Sequence, residues 1–201
     1  MSNKDVPIQP VQPSTFTGPI IVLVGPAGSG KSTLADILAP PSSDARIKSL
    51  TTRKPRVYEN EQNSDHIFIS NDKFALYRNF GSIICVREFT MSNDTKVYYG
   101  ISKDDVCKPT KSPSKVVVLD PDGAKEFKET YPDQAKIFYL TNESRDDRIC
   151  RLIQRGDDMA DIKKRLECDS IDFAFYSDWD LVTDASLFHL KNTNGRTTAD
   201  I

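Results

Sequence analysis

Three groups of residues in this chain have the types and spacings needed to handle phosphate. The first is Gly25-Pro-Ala-Gly-Ser-Gly-Lys31-Ser32, which fits the pattern G-x-x-x-x-G-K-[ST]. Gly25, Gly28 and Gly30 allow close backbone approach, so the N–H groups through Ala27, Ser29 and Thr33 can curl around one phosphate chain. Lys31 supplies a point charge for the outer phosphates, Ser32 a hydroxyl for Mg²⁺, and the N-terminus of the following helix a partial positive charge. The second group is Ser49, Arg53, Lys54 and Arg56, a cationic, hydroxyl-rich corner suited to fork-type recognition of a phosphate. A solvated charge run has the same composition, so the residues alone leave both readings open. The third is Arg148, Arg151 and Arg155, whose spacings of three and four put them on one helical face. Gly156 ends that helix and Arg165 lies on the next; for Arg148 an ordinary surface position is the simpler reading.

These groups need elements to hold them. The apolar run at 20–24, bounded by Gly25, reads as a buried parallel strand, and the segment from Thr33 reads as a helix ending near Ala39, because Pro40-Pro41 cannot continue it. Residues 45–50 read as a second strand leading straight into the arginine corner, and 114–119, 134–140 and 180–183 as further sheet strands. Asp120 and Asp122 then fall at the carboxyl end of a strand, where open α/β sheets place ligand groups; Asp-Pro-Asp-Gly is equally good turn chemistry. Residues 66–70, 83–89 and 96–99 are β-branched or aromatic, and Ser92-Asn-Asp-Thr95 predicts a hairpin between the last two. Phe173, Phe175, Tyr176 and Trp179 read as core at helical spacing.

Composition narrows the function classes. The 201 residues are 38% hydrophobic and 28% charged, with a net charge of -2, which argues against bulk nucleic-acid binding. Four scattered cysteines, Cys85, Cys107, Cys150 and Cys168, show neither zinc spacing nor a disulfide framework. No apolar run approaches membrane length and no signal pattern opens the chain, so a soluble, cytoplasmic protein is expected. The Pro- and Gln-rich residues 1–18 predict a flexible tail, and the polar run at 191–201 a second one.

Taken together, the motifs resemble the guanylate kinase family. Six landmarks occur in the family's order: the glycine loop, Ser49-Leu-Thr-Thr-Arg53-Lys-Pro-Arg56, Asp65-His66-Ile-Phe68, Tyr98-Tyr99-Gly100, Leu119-Asp120-Pro-Asp122 and Arg151-Leu-Ile-Gln-Arg155-Gly156. The resemblance implies an α/β P-loop nucleoside-monophosphate kinase fold over residues 19–190, with a central, mostly parallel sheet. A small β-rich acceptor insertion would occupy about 57–99 and a helical lid about 144–166. It implies transfer of the γ-phosphoryl group of ATP to GMP or dGMP with Mg²⁺, by a monomer or homodimer that needs neither nucleic acid nor membrane. By the same resemblance, Lys31, Arg155 and Arg165 serve catalysis; Ser49, Arg53, Arg56, His66, Glu88, Tyr99 and Asp122 bind the acceptor; and Ser32 ligates the metal.

The base-reading carboxylate is the least direct assignment. Counting back from Tyr99 lands on Thr90, whereas a turn two residues longer brings Glu88-Phe89 onto the family's pair, and a carboxylate is the acceptor-only group able to meet two adjacent donors. The chain departs from the family at His66, where a tyrosine is usual, at Ile101, where Ser or Thr is usual, and in the shorter Asp122-Gly123 loop. Those departures keep open another nucleotide or phosphorylated acceptor. A catalytically inactive interaction domain is the other alternative, opposed by the presence of Lys31, Ser32, Arg53, Arg56, Asp122 and Arg155.

Overall fold

A computed structural model describes residues 15–56, 59–60, 62–141, 144–172 and 180–184. The expected core residues Phe173, Phe175, Tyr176 and Trp179, and the expected C-terminal tail, lie outside them. The first strand, β1 (Ile20–Val24), runs into the glycine loop and α1 (Lys31–Leu38), which stops at Ala39 ahead of the proline pair. The strand read at 45–50 is two strands in different sheets. β2 (Arg46–Ile47) pairs with the core, and after Lys48 the chain swings so that β3 (Ser49–Thr51) joins a second sheet. There follow β4 (His66–Phe68), α2 (Asn71–Asn79), the hairpin β5 (Ile83–Thr90) and β6 (Lys96–Ser102), and α3 (Lys103–Cys107). The chain then returns to the core through β7 (Lys115–Val118), α4 (Pro121–Thr130) and β8 (Ala135–Thr141). It continues through α5 (Arg145–Gln154), α6 (Met159–Asp172) and β9 (Leu181–Asp184).

The core sheet has the order β2-β7-β1-β8-β9, and every pairing in it is parallel. Alternate residues of its strands serve opposite layers, which is why the strands are apolar on both faces. Leu23, Val116 and Leu140 pack on Leu34 and Ala35 of α1; Val22, Val24, Val117 and Ile137 pack on Ala124 and Phe127 of α4. Phe16 already belongs to this body. Its N–H donates to Cys107 O at 2.9 Å and its ring sits 4.9 Å from Lys115 Nζ, so the fold begins before the boundary expected at Gly18.

The second sheet has the order β4-β3-β6-β5, with β3/β4 parallel and the other pairings antiparallel. One face is closed by α2: Leu50, Ile67, Val86 and Tyr98 pack with Phe74. The opposite face carries Ser49, Thr51, His66, Phe68 and Tyr99 in register, and it turns toward the glycine loop and α6. A bulge interrupts β5: Ile84 opposes Ile101 but Arg87 opposes Tyr99, and Cys85 between them takes φ 52°.

Candidate active site

The glycine loop is braced by α5 and α6. Lys31 Nζ donates to Gly25 O at 2.6 Å and Pro26 O at 2.8 Å. Desolvation, reinforced by Arg155 and Arg148 against the pull of Asp169 and Asp65, lowers its ammonium to about 8. Ala27 N donates to Asp169 Oδ2 at 2.8 Å, and Arg151 Nη1 donates to Gly28 O at 2.9 Å. Gly28 has φ 79°, and a Cβ there would lie 2.8 Å from Arg148 O; both the turn and the close contact with α5 require glycine. Ser29 Oγ is buried with no hydrogen-bond partner among the described residues, as are Arg148 Nε and Arg155 Nε. Orphaned donors of this kind around a glycine cradle suit a bound phosphate chain. Gly30 is left-handed at the start of α1, and Thr33 is half-buried in its first turn.

Ser32 is exposed, and its hydroxyl donates to Asp65 Oδ2 at 2.6 Å. Asp65 is paired in turn with Arg46, whose fully buried guanidinium also lies 3.3 Å from Asp36 Oδ1. Burial would raise the Asp65 carboxyl, but Arg46 and the Ser32 hydroxyl outweigh it and lower it, whereas burial lifts Asp36 to about 6. A hydroxyl and an ionised carboxylate are hard oxygen donors of the sort Mg²⁺ takes, so Ser32 and Asp65 fit that ion.

On the second sheet and the loop after β3, Arg53, Arg56 and Tyr99 form one cluster. Arg53 Nε donates to Tyr99 Oη at 3.2 Å, and its Nη1 and Nη2 grip Glu59 at 2.8 and 3.0 Å. Arg56 adds its N–H at 2.9 Å and its guanidinium at 2.9 Å to the same carboxylate. Burial alone would raise Glu59, yet these bonds hold it at about 2. His66 sits edge-on to Tyr99 at 5.5 Å; desolvation and Arg53 lower its imidazole to about 4, so at neutral pH it is uncharged. Ser49 is buried beside it. Ile101 lies at full depth in the core, so the place of the usual hydroxyl is taken by an apolar contact between the sheets.

Beyond α5, Arg155 caps the helix and Gly156 turns the chain at φ 76°. Arg155 and Arg165 both pair with Asp157 Oδ2, the latter at 3.5 Å, while Arg56 Nε reaches Asp157 Oδ1 at 2.7 Å. The hairpin tip meets the same helix, because Ser92 N donates to Asp161 Oδ1 at 3.0 Å and Lys164 Nζ to Met91 O at 3.3 Å.

The structure therefore brings Lys31, Ser32, Arg53, Arg56, His66, Tyr99, Arg155 and Arg165 around one cleft. Asp122 stands in the first turn of α4, behind Asp120, which caps that helix by accepting Gly123 N at 2.6 Å. Glu88 is not among them. It opposes Tyr98 on the α2 side of the sheet, is exposed and pairs with Lys96 at 2.7 Å, which lowers its carboxyl. The bulge at Cys85 moves Arg87, not Glu88, onto the Tyr99 face. Glu59, Asp157, Asp169 and Arg87 were missed in the sequence; nothing in their local spacing separates them from surface charges.

Parallel strands, a glycine loop feeding a helix, and cations arriving from the second sheet and from α5 and α6 define a P-loop nucleotide-binding α/β protein. The guanylate kinase family profile matches residues 17–190. The chain is 36% identical over 146 residues to the guanylate kinase of Wolinella succinogenes and 32% identical over 160 residues to that of Mycoplasma genitalium. The matches cover 70% and 78% of this chain and 64% of each relative's length. In fold it is similar to the crystal structure of the guanylate kinase from Anaplasma phagocytophilum. That likeness has a TM-score of 0.57 at 21% identity and covers 84% of this chain and 77% of that one. The chain belongs to the guanylate kinase family.

Proposed function

We propose that the protein transfers the γ-phosphoryl group of ATP to GMP or dGMP. The observation that carries this is the meeting of four arginines, from the loop after β3, the end of α5 and α6, on two carboxylates of the chain itself. Arg53 and Arg56 converge on Glu59, and Arg56, Arg155 and Arg165 on Asp157. Each carboxylate satisfies cations that an acceptor phosphate or a transferring phosphoryl group would otherwise neutralise, and phosphoryl transfer is catalysed mainly by such positioning and neutralisation. Lys31 and the loop amides hold the donor phosphates. Arg53, Arg56 and Tyr99 hold the acceptor phosphate in line with them, beside neutral His66. The lid arginines then close over both and exclude water. Mg²⁺, held at Ser32 and Asp65, would neutralise the donor's phosphate oxygens.

Residues 57–99 act as the acceptor domain and 144–166 as the lid in this reading. A cytoplasmic monomer or homodimer fits it; among the described residues no helix is long and apolar enough to cross a membrane. The test is coupled ADP release from Mg-ATP with GMP, dGMP, AMP, dTMP, CMP and UMP, using Lys31→Ala as blank. Lys31-dependent turnover with GMP or dGMP is expected. Lys31-dependent turnover confined to another acceptor would keep the chemistry and remove the guanine assignment.

A further inference from the structure

We infer that Arg87 is the residue that reads the acceptor base, through the paired acceptors of a purine's O6/N7 edge. The inference rests on the GMP reading above and adds the contact by which the base is told apart.

Three observations place Arg87 there. First, the bulge sets Arg87 opposite Tyr99, on the sheet face that carries the phosphate-binding residues, and Phe89 follows two residues later on the same face. The Phe89 ring meets Tyr99 edge-on at 5.4 Å and is 41% exposed, an aromatic platform adjoining the phosphate cluster and free to stack a base. Second, the Arg87 guanidinium crosses from this sheet to the core. Its Nε lies 3.4 Å from Asp120 Oδ1, and its Nη1 donates to Glu126 Oε2 at 3.0 Å and to Val86 O at 2.8 Å. Glu126 is itself fixed by accepting Cys85 N, the bulge amide, at 2.7 Å. Nε and Nη1 are thus held from behind, and the two N–H donors of Nη2 have no partner among the described residues. Third, Asp122 stands one helical position beyond Pro121 in the same corner, adding negative charge that Arg87 feels.

The two N–H donors of Nη2 beside an acceptor-only carboxylate complement guanine, which offers O6 and N7 as acceptors and N1–H and the N2 amino group as donors. Adenine presents an amino donor where Nη2 also donates, so the same geometry rejects it. Glu88, on the far face, takes no part.

The decisive experiment measures kcat/KM for GMP, 7-deaza-GMP, which lacks N7, and IMP, which lacks the N2 amino group, in wild type, Arg87→Met, Arg87→Lys and Glu88→Gln. Loss of N7 is expected to cost the wild type roughly tenfold, mostly in acceptor KM. It should cost Arg87→Met and Arg87→Lys little, since both have already lost the Nη2 donors. Arg87→Lys keeps a cation for Asp120 and Glu126 and so guards against a trivial folding defect, checked by its Tm. Glu88→Gln should keep the N7 preference and the GMP turnover of wild type. An equal N7 penalty in wild type and both Arg87 variants, or collapse of GMP turnover in Glu88→Gln, overturns the assignment while leaving GMP kinase activity standing. Absence of GMP turnover in wild type overturns the functional reading itself and this assignment with it.

Discussion

Arg56 Nε lies 2.7 Å from Asp157 Oδ1, so the loop after β3 and the turn between α5 and α6 are tied together through one carboxylate whose side chain is only 4% exposed. The same carboxylate pairs with Arg155 and Arg165. Burial first, and then the neighbouring Arg56, lower the Arg165 guanidinium against the pull of Asp157.

Asp157→Ala should therefore lower stability without nucleotide by about 2 kcal/mol, since three guanidinium groups lose their shared partner. For a protein of this size that is a fall of roughly 4–8 °C in Tm. Saturating GMP and a non-hydrolysable ATP analogue should shrink the difference, because their phosphates replace the lost charge. Thermal scans with and without ligands measure it, and a deficit that ligands leave untouched would mean Asp157 acts only as a structural residue.

Lys31→Ala should retain the fold and lose on the order of 10³-fold in kcat, the scale on which one positioned charge at a transferring group acts. Its hydrogen bonds to Gly25 O and Pro26 O are local to the loop, so Tm should move little. Steady-state kinetics beside a melting curve separates the two effects.

Gly28→Ala meets both a left-handed φ of 79° and the Arg148 backbone 2.8 Å from the new Cβ. A cost of about 1–3 kcal/mol and loss of most turnover are expected, because the lid must back away from the loop it covers. Retained activity in Gly28→Ala would show that this lid contact is dispensable for transfer.

His66 gives a pH dependence with a definite sign. Unfolded, the imidazole takes up a proton as pH falls through 6.5; folded, it resists until about 4. The unfolded chain thus binds more protons between those values, and stability contributed above pH 6.5 is lost progressively as pH drops toward 4. Asp36, raised to about 6, works in the opposite direction, so the difference between wild type and His66→Phe is the quantity to follow. Denaturant midpoints across pH 4–7 should show the wild type losing more stability on acidification than the variant.

The short-range features were legible from the residues themselves. The glycine loop, the strand before it, the proline stop after α1, the hairpin turn at 92–95 and the helical arginine face depend on local backbone preference and periodicity, which sequence carries directly. Tertiary structure decided the rest. Residues 45–50 look like one strand, yet the pairing of Arg46 with Val116 in one sheet and of Ser49 with Ile101 in the other divides them into β2 and β3. Asp157 looks like any surface acid until folding brings Arg56 onto it from the loop after β3, and Glu59 until its own loop curls Arg53 and Arg56 back onto it. Arg87 and Glu88 show the limit most sharply. A strand alternates faces at every residue, so the one extra residue at Cys85 exchanges which of two neighbours meets the cleft, and that bulge is set by Glu126 accepting the Cys85 amide from another helix.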